Sequence, residues 1–413
     1  MCFMGFYEIF ACLVKSYDYS RGMNRREAYI VLNLLPDIGP MRTQMLLSAF
    51  GDNPCAALEA PVEELVRLPH FGRRCAETIH GWRQLCDLGR ELHLAEQAGV
   101  YIITMEDECY PVALREIHDP PICLYVRGDL SALHASAQSI AMVGSRMTTH
   151  YALGMANTLA TEAARAGWAV VSGLARGIDT CAHTATMAAG GRTLAVLGSG
   201  FNYIYPPENT ELANRIAASG GALVSEFPIN VRPDRRNFPM RNRIIAGISR
   251  GTLVVQAGLN SGSLITAAQA LEQGRAVFAV PGNADTPYFK GCHALIRDGA
   301  RLVECFNDVL DEFSLLPSMD DRRLQQKTAA AEASTADVEV TPAEYRVWSQ
   351  MSDESPVFID ELLRQLDDMA PSVVLGTLLT LEIKQLIRQL PGKQAQRNPR
   401  RNAHLPVSST ADG

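Results

Sequence analysis

Between Ser139 and Phe313 seven short runs rich in β-branched and small apolar residues, SIAMVGS, WAVVSGL, TLAVLGS, ALVSEF, GTLVVQAG, AVFAVPG and ARLVEC, alternate with longer stretches of helical apolar spacing. A chain that repeats strand and helix in this way can bury its apolar faces as a parallel sheet covered by crossover helices. Several runs are apolar at consecutive positions, which predicts burial on both faces. The expected fold class is therefore α/β with a mostly parallel sheet, and a ligand belongs outside the carboxyl ends of its strands.

The flanks read differently. From Asn24 to about Leu85 the apolar spacing is helical, interrupted by two similar phrases, LPDIGPMRTQML and LPHFGRRCAETI. Each resembles a helix-hairpin-helix turn, in which glycine permits a tight bend and the next helix's amides can face a phosphate. A plain helical domain whose glycines only make turns remains the alternative. Residues 23–97 are assigned to this domain and 1–22 to an upstream extension, expected to be disordered, of a protein that functions from Met23. VYIITMEDECYPVAL and PPICLYVRGDL read as an extended segment leading into the core, because Pro120-Pro121 prevents a continuous helix. The core domain is set at 98–313, a linker at 314–340, a winged-helix-like domain of three helical patterns at 341–392, and a basic disordered tail at 393–413.

The 413 residues carry a net charge of −7, so any nucleic-acid contact must come from a local concentration of positive charge. Ten scattered cysteines form no CxxC pair and no metal-ligand spacing, which reads as free thiols in a reducing cytoplasm and no metal site. The apolar opening MCFMGFYEIFACLVK lacks a basic start and is too short to span a bilayer.

Positive charge gathers at the strand ends. The first run ends in Gly144-Ser145-Arg146, a βα turn with an arginine fork suited to phosphate. The second ends in SGLARGID, where Ser172, Gly173 and Arg176 meet the same rim. From Arg232 to Arg243 five arginines face one aspartate, a local excess of +4. This stretch holds Asn237, Phe238, Arg241, Asn242 and Arg243, and Phe238 is either a surface on which a base stacks or a core anchor for its loop. Asn260, Ser261, Gly262 and Ser263 cap the next helix as a second anion seat. Lys290 follows the sixth run as a further phosphate contact.

Catalytic machinery is not expected. No GxGxxG follows the first strand, and Ser172-Gly173 stands where a dinucleotide enzyme places an acid. His183 and His293 lie apart from any nucleophile and carboxylate arrangement. No cofactor is implied.

GSR, VVSGLARGIDTCAH, TLAVLGSG, YPPEN, NFPMRNRIIAGIS, SGSLITAAQALEQGR, VFAVPGN and GCHALIRDGA, in this order, resemble the DNA-processing protein A family (DprA, also called Smf) over about residues 100–313. The resemblance implies an extended Rossmann-like core, a helix-hairpin-helix or SAM-like N-terminal domain and a C-terminal winged helix. It also implies a non-enzymatic, cytoplasmic homodimer that binds and protects incoming single-stranded DNA and loads the RecA recombinase onto it in natural transformation, alongside single-strand-binding protein and away from membranes. The family's basic pocket carries over to Arg146, Ser172, Gly173, Arg176, Arg241, Asn242 and Arg243, and its helix-capping phrase to Ser261 and Ser263. Two positions depart: a glutamate often found after the fifth strand is Gln256, and an aromatic expected near the end of the winged helix is missing from LPGKQAQR.

The rival is a phosphoribohydrolase of the LOG or lysine-decarboxylase-like type, which cleaves a nucleotide's glycosidic bond. Those enzymes need a PGGxGT stretch with a glutamate close behind, whereas NSGSLITAAQALE has no acid before Glu272.

Overall fold

The computed structural model describes residues 22–315, 338–352, 356–384, 386–390, 394–397 and 403–404. The expected extension therefore lies outside the described residues except for Gly22, as do 316–337 of the expected linker and most of the expected tail. The chain forms two compact units that divide at residue 312. Among the described residues, no helix is long and apolar enough to cross a membrane.

The first unit is built on nine strands: β1 (Tyr101–Thr104), β2 (Cys123–Gly128), β3 (Ser139–Gly144), β4 (Ala169–Ser172), β5 (Thr193–Val196), β6 (Ala222–Ser225), β7 (Gly251–Gln256), β8 (Ala276–Ala279) and β9 (Arg301–Leu302). They lie in the order β1-β2-β6-β5-β4-β3-β7-β8-β9. All seven expected runs are strands, and every pairing from β6 to β9 is parallel. The segment read as merely connecting supplies β1 and β2, an antiparallel pair that extends the sheet at β6. Every residue of β4 to β7 is buried, as their unbroken apolar runs require.

Chain order dictates where a ligand fits. From β3 the strands step one way to β4, β5 and β6, and the chain then crosses back to place β7 on the other side of β3. With right-handed crossovers the helices before and after that reversal cover opposite faces. The loops after β3 and β7 consequently part and leave a crevice at their carboxyl ends.

The N-terminal helices share one hydrophobic core with the sheet, running from Ala28 to Ile229, so residues 23–97 are not separately cored. The helices Arg25–Leu34 and Leu88–Gln97 pack on β1, and the first also on β2. The first opens with a capping box between Asn24 and Glu27. The internal repeat is geometric as well as textual. Asp37 and His70 hold φ 63° and 62°, Ile38 and Phe71 are buried, and Gly39 and Gly72 cap the following helices. The basic residues there are engaged: Arg42 donates to the Asp37 carbonyl, Arg73 pairs with Glu77, and Arg74 with Asp37.

The second unit is a winged helix. Helices Pro342–Ser349, Ile359–Gln365 and Pro371–Ile383 supply the three expected helical patterns, the last of which gives way to a strand at Ile387–Leu390, and the domain encloses a core of Val347, Leu362, Val374, Leu378 and Ile387. Val357–Phe358, Gln394–Arg397 and Ile387–Leu390 pair antiparallel, with Gln394–Arg397 in the centre. The expectation of a tail from Lys393 is therefore wrong for Gln394–Arg397. Arg397 is anchored by its guanidinium, 4.0 Å from the Trp348 ring centroid, and by a bond to the Trp348 carbonyl. Pro371–Ile383 carries no lysine or arginine and exposes Val373, Leu375, Leu379 and Ile383.

Candidate nucleic-acid interface

The crevice has a volume of about 440 Å³ and is bounded by the loop after β3, the start of helix Ile178–Ala188, one face of helix Asn237–Ile248, and the Ser261–Thr266 turn after β7. Its first wall depends on close packing at glycine. A Cβ at Gly144 would lie 2.6 Å from Ile178 Cγ1, and one at Gly177, where φ is 78°, would lie 2.4 Å from the Ser145 carbonyl oxygen. The Ser145 amide donates to the Gln256 carbonyl at 2.9 Å.

Gln256 then ties the rest of that loop. Its Oε1 accepts from the Thr149 amide at 2.9 Å, and its Nε2 donates to the Met147 carbonyl at 3.0 Å. An amide side chain is needed for this double role, because a carboxylate cannot donate. The loop so held presents Arg146 to solvent, with its guanidinium 5.6 Å from the Phe238 ring centroid.

Helical spacing sorts the arginine-rich segment. Phe238, Arg241, Asn242 and Ile245 lie at i, i+3, i+4 and i+7 and together line the crevice. Arg243, two residues beyond Arg241, points to the opposite side. There it pairs with both oxygens of Glu226 at 2.7 Å and with Asp119 at 2.9 Å, with side-chain exposure of only 6%. The expected role of Arg243 as a phosphate contact is thus corrected: it is a buried clamp beneath the helix. Phe238 packs on Gly198, lies 5.6 Å from Tyr205 between ring centroids and is half-buried, so it anchors its loop while part of its ring stays open to the crevice.

Arg241 lies at the crevice floor, 4% exposed, and donates from Nη1 to the carbonyls of Gly173 (2.6 Å) and Val196 (2.5 Å). Burial lowers its pKa to about 10 and the nearby Arg146 adds to that, while Asp179 opposes it, so the group stays cationic at neutral pH. Asp179, which carries no motif in the sequence, is the acid of the crevice. Its Oδ2 accepts from the amides of Gly173 (3.0 Å) and Ala175 (3.3 Å), while burial raises its pKa. Between those amides Leu174 is held at φ 58°, a strained conformation for a residue with a side chain. Asn209 of the YPPEN phrase donates to its carbonyl at 2.8 Å.

The remaining expectations divide. Ser261 and Ser263 line the crevice with their hydroxyls 2.8 Å apart, although helix Ser263–Glu272 starts without a side-chain cap. Ser172 does not face the crevice: its hydroxyl donates to the Met142 carbonyl and ties β4 to β3. Arg176 is exposed on the rim of a second, smaller cavity and is paired with Glu208. Asn237 and Lys290 line neither cavity, and Lys290 Nζ donates to the Ala284 carbonyl at 2.6 Å. His183 is fully buried against Thr193, and His293 bonds the Gly282 carbonyl. Among the described residues no group of three or more His, Cys, Asp or Glu stands close enough to hold a metal ion.

Comparison with known proteins places this geometry. Residues 101–314 match the family model for DNA recombination-mediator protein A, and 328–393 match the DprA winged helix domain. DNA processing protein DprA of Bacillus subtilis is 45% identical over 269 residues, covering 65% of this chain and 89% of that one. Protein Smf of Synechocystis is 32% identical over 400 residues, covering 91% and 99%. The X-ray structure of DNA processing protein A from Streptococcus pneumoniae superposes with a TM-score of 0.61 at 32% identity, covering 70% of this chain and 99% of that one. With the core and the winged helix both matched, and relatives covered over most of their length, this chain belongs to the DNA recombination-mediator protein A (DprA/Smf) family of DNA-processing proteins.

Proposed function

We propose that this protein binds single-stranded DNA in the crevice between β3 and β7 and acts as a holder of the strand, without cutting it. The observation that carries the reading is the Arg146 guanidinium stacked over Phe238 at the crevice mouth. It sets a cation for phosphate beside an aromatic surface for a base, the pairing on which sequence-tolerant single-strand binders rely. The crevice is a concave sheet edge with no projecting recognition helix, which disfavours duplex. The acid in it, Asp179, is occupied by two backbone amides and faces Arg241, an arrangement that supports a structural role over that of a general base.

Within this reading the protein protects incoming strands and loads RecA recombinase onto them in natural transformation, as a cytoplasmic homodimer working on strands also covered by single-strand-binding protein. The support is family membership and the resemblance of the quoted motifs. The deciding measurement is fluorescence anisotropy with oligo-dT across a salt series. Parent protein should lose affinity with a log-log slope of about −0.7 per neutralised phosphate, and Arg146→Ala should bind every sequence more weakly with a shallower slope. Equal affinity of Arg146→Ala and parent would defeat the crevice assignment. RecA filament growth on coated strands, with and without the protein, tests loading. Release of free base from a nucleoside monophosphate would restore the phosphoribohydrolase reading.

A further inference from the structure

The crevice does not stop at Phe238. A second cavity, of about 20 Å³, shares Arg146, Ala175, Phe238 and Arg241 with the first and adds Gly173, Arg176, Tyr205 and Pro206. Tyr205 is 38% exposed, and its ring, tilted 45° to that of Phe238, continues the aromatic surface toward β5. On the same loop after β5, Tyr203 meets the segment that follows β6: the guanidinium of Arg232 lies 5.3 Å from the Tyr203 ring centroid. Tyr203 is fixed from behind, because its carbonyl accepts from Ser199 Oγ at 2.6 Å.

We propose that a bound single strand continues from the crevice over β4 and β5 toward β6, stacking one base on Tyr205 and meeting the Tyr203–Arg232 pair beyond it. This rests on the reading of the crevice as a single-strand site. In the order β7-β3-β4-β5-β6 the track crosses four strand spacings, about 19 Å. Its two arms differ in chemistry. At the crevice end Arg146 contributes charge. On the Tyr205 arm Arg176 is already paired with Glu208, so stacking dominates until Arg232 is reached.

That contrast makes the track testable by oligo-dT of increasing length, measured by anisotropy at low and high salt on the full chain. Tyr205→Ala should weaken long oligomers at least about fivefold, the lower end of what stacking one base supplies. It should leave the shortest bound oligomer within about twofold, and its effect should not change with salt. Tyr205→Phe should match the parent. Arg232→Ala should also spare the shortest oligomer, but should reduce the salt slope by about 0.7. If Tyr205→Ala and Arg232→Ala bind all lengths like the parent while Arg146→Ala weakens them all, the track is overturned and the crevice stands. If Arg146→Ala also binds normally, it is the crevice reading that fails. Photocrosslinking of 5-iodouracil-substituted oligo-dT to the unmutated protein gives a readout that needs no variant. Adducts on Tyr205 or Tyr203 support the track, and adducts confined to Phe238 overturn it.

Discussion

The guanidinium of Arg241 lies directly on the bare backbone of Gly173, where an added Cβ would come within 2.1 Å of Nη1. This close approach lets Nη1 reach the carbonyl of Gly173, just past β4, and that of Val196, at the end of β5, and sets the charge at the crevice floor. Gly173→Ala should therefore push out a buried cation and strip it of its partners. Loss of a buried charged contact is worth about 3 kcal/mol or more. Urea denaturation should show this loss, together with weakened oligo-dT binding; stability within about 1 kcal/mol of parent would mean the guanidinium has another place to go.

Arg243 invites the opposite outcome for binding. Its partner Glu226 is 7% exposed, so Arg243→Met strands a carboxylate in the interior at a cost of about 3–5 kcal/mol. Replacing both residues with methionine should recover much of that loss, since a buried pair is often matched by well-packed apolar residues. The folded fraction of Arg243→Met should bind oligo-dT within about twofold of the parent, with an unchanged salt slope. A slope reduced by one phosphate would return Arg243 to the DNA interface.

These two arginines show what the sequence could and could not say. The strand runs and the crevice edge were legible because consecutive apolar residues and strand-end glycines are local features. The charge excess at 232–243 was legible too, yet its sides were misassigned. Residues two apart on a helix are about 200° apart, so Arg241 and Arg243 cannot share a face. The spacing alone separates them. Asp179 gave no such signal, being one acid at the start of an otherwise ordinary helix. Gln256 acquires its meaning only from β7 lying beside β3, a neighbour that no local pattern announces. Arg397 reads as tail because QAQR has a single apolar residue, and only contact with Trp348 reveals it as a strand end.

His183 predicts a pH dependence. Burial lowers its pKa from 6.5 to about 3, and Arg241 adds to that, so the folded protein holds the ring neutral. Its contribution to stability is complete above pH 6.5. It is lost as pH falls from 6.5 toward 3, where the unfolded chain binds a proton that the folded chain refuses. Asp179 works in the opposite sense: its raised pKa means that the folded chain takes up a proton first, and stability is gained as pH falls through that value. Comparison with His183→Asn, which retains a partner for Thr193, isolates the histidine. Between pH 7 and pH 5 the parent should lose about 2 kcal/mol relative to this variant in urea titrations. Parallel stability curves would show that the ring titrates normally in the folded state.

The most informative change is one that touches no DNA. Gln256 is 1% exposed and holds both ends of the Met147–Thr149 turn, so Gln256→Leu keeps the volume and removes the bonds. The Thr149 amide then loses its partner, at a cost of about 1–3 kcal/mol if it stays buried, while the exposed Met147 carbonyl keeps the Ser145 hydroxyl. The Ser145 amide keeps the Gln256 backbone carbonyl, so β3 and β7 stay paired and the crevice persists. What loosens is the stretch that carries Arg146 to its place over Phe238. The expected result is a folded protein with weaker oligo-dT binding but an unreduced salt slope, because the charge of Arg146 remains while its position is lost. Binding indistinguishable from the parent would show that Arg146 finds phosphate without the turn, and that Gln256 serves the fold alone.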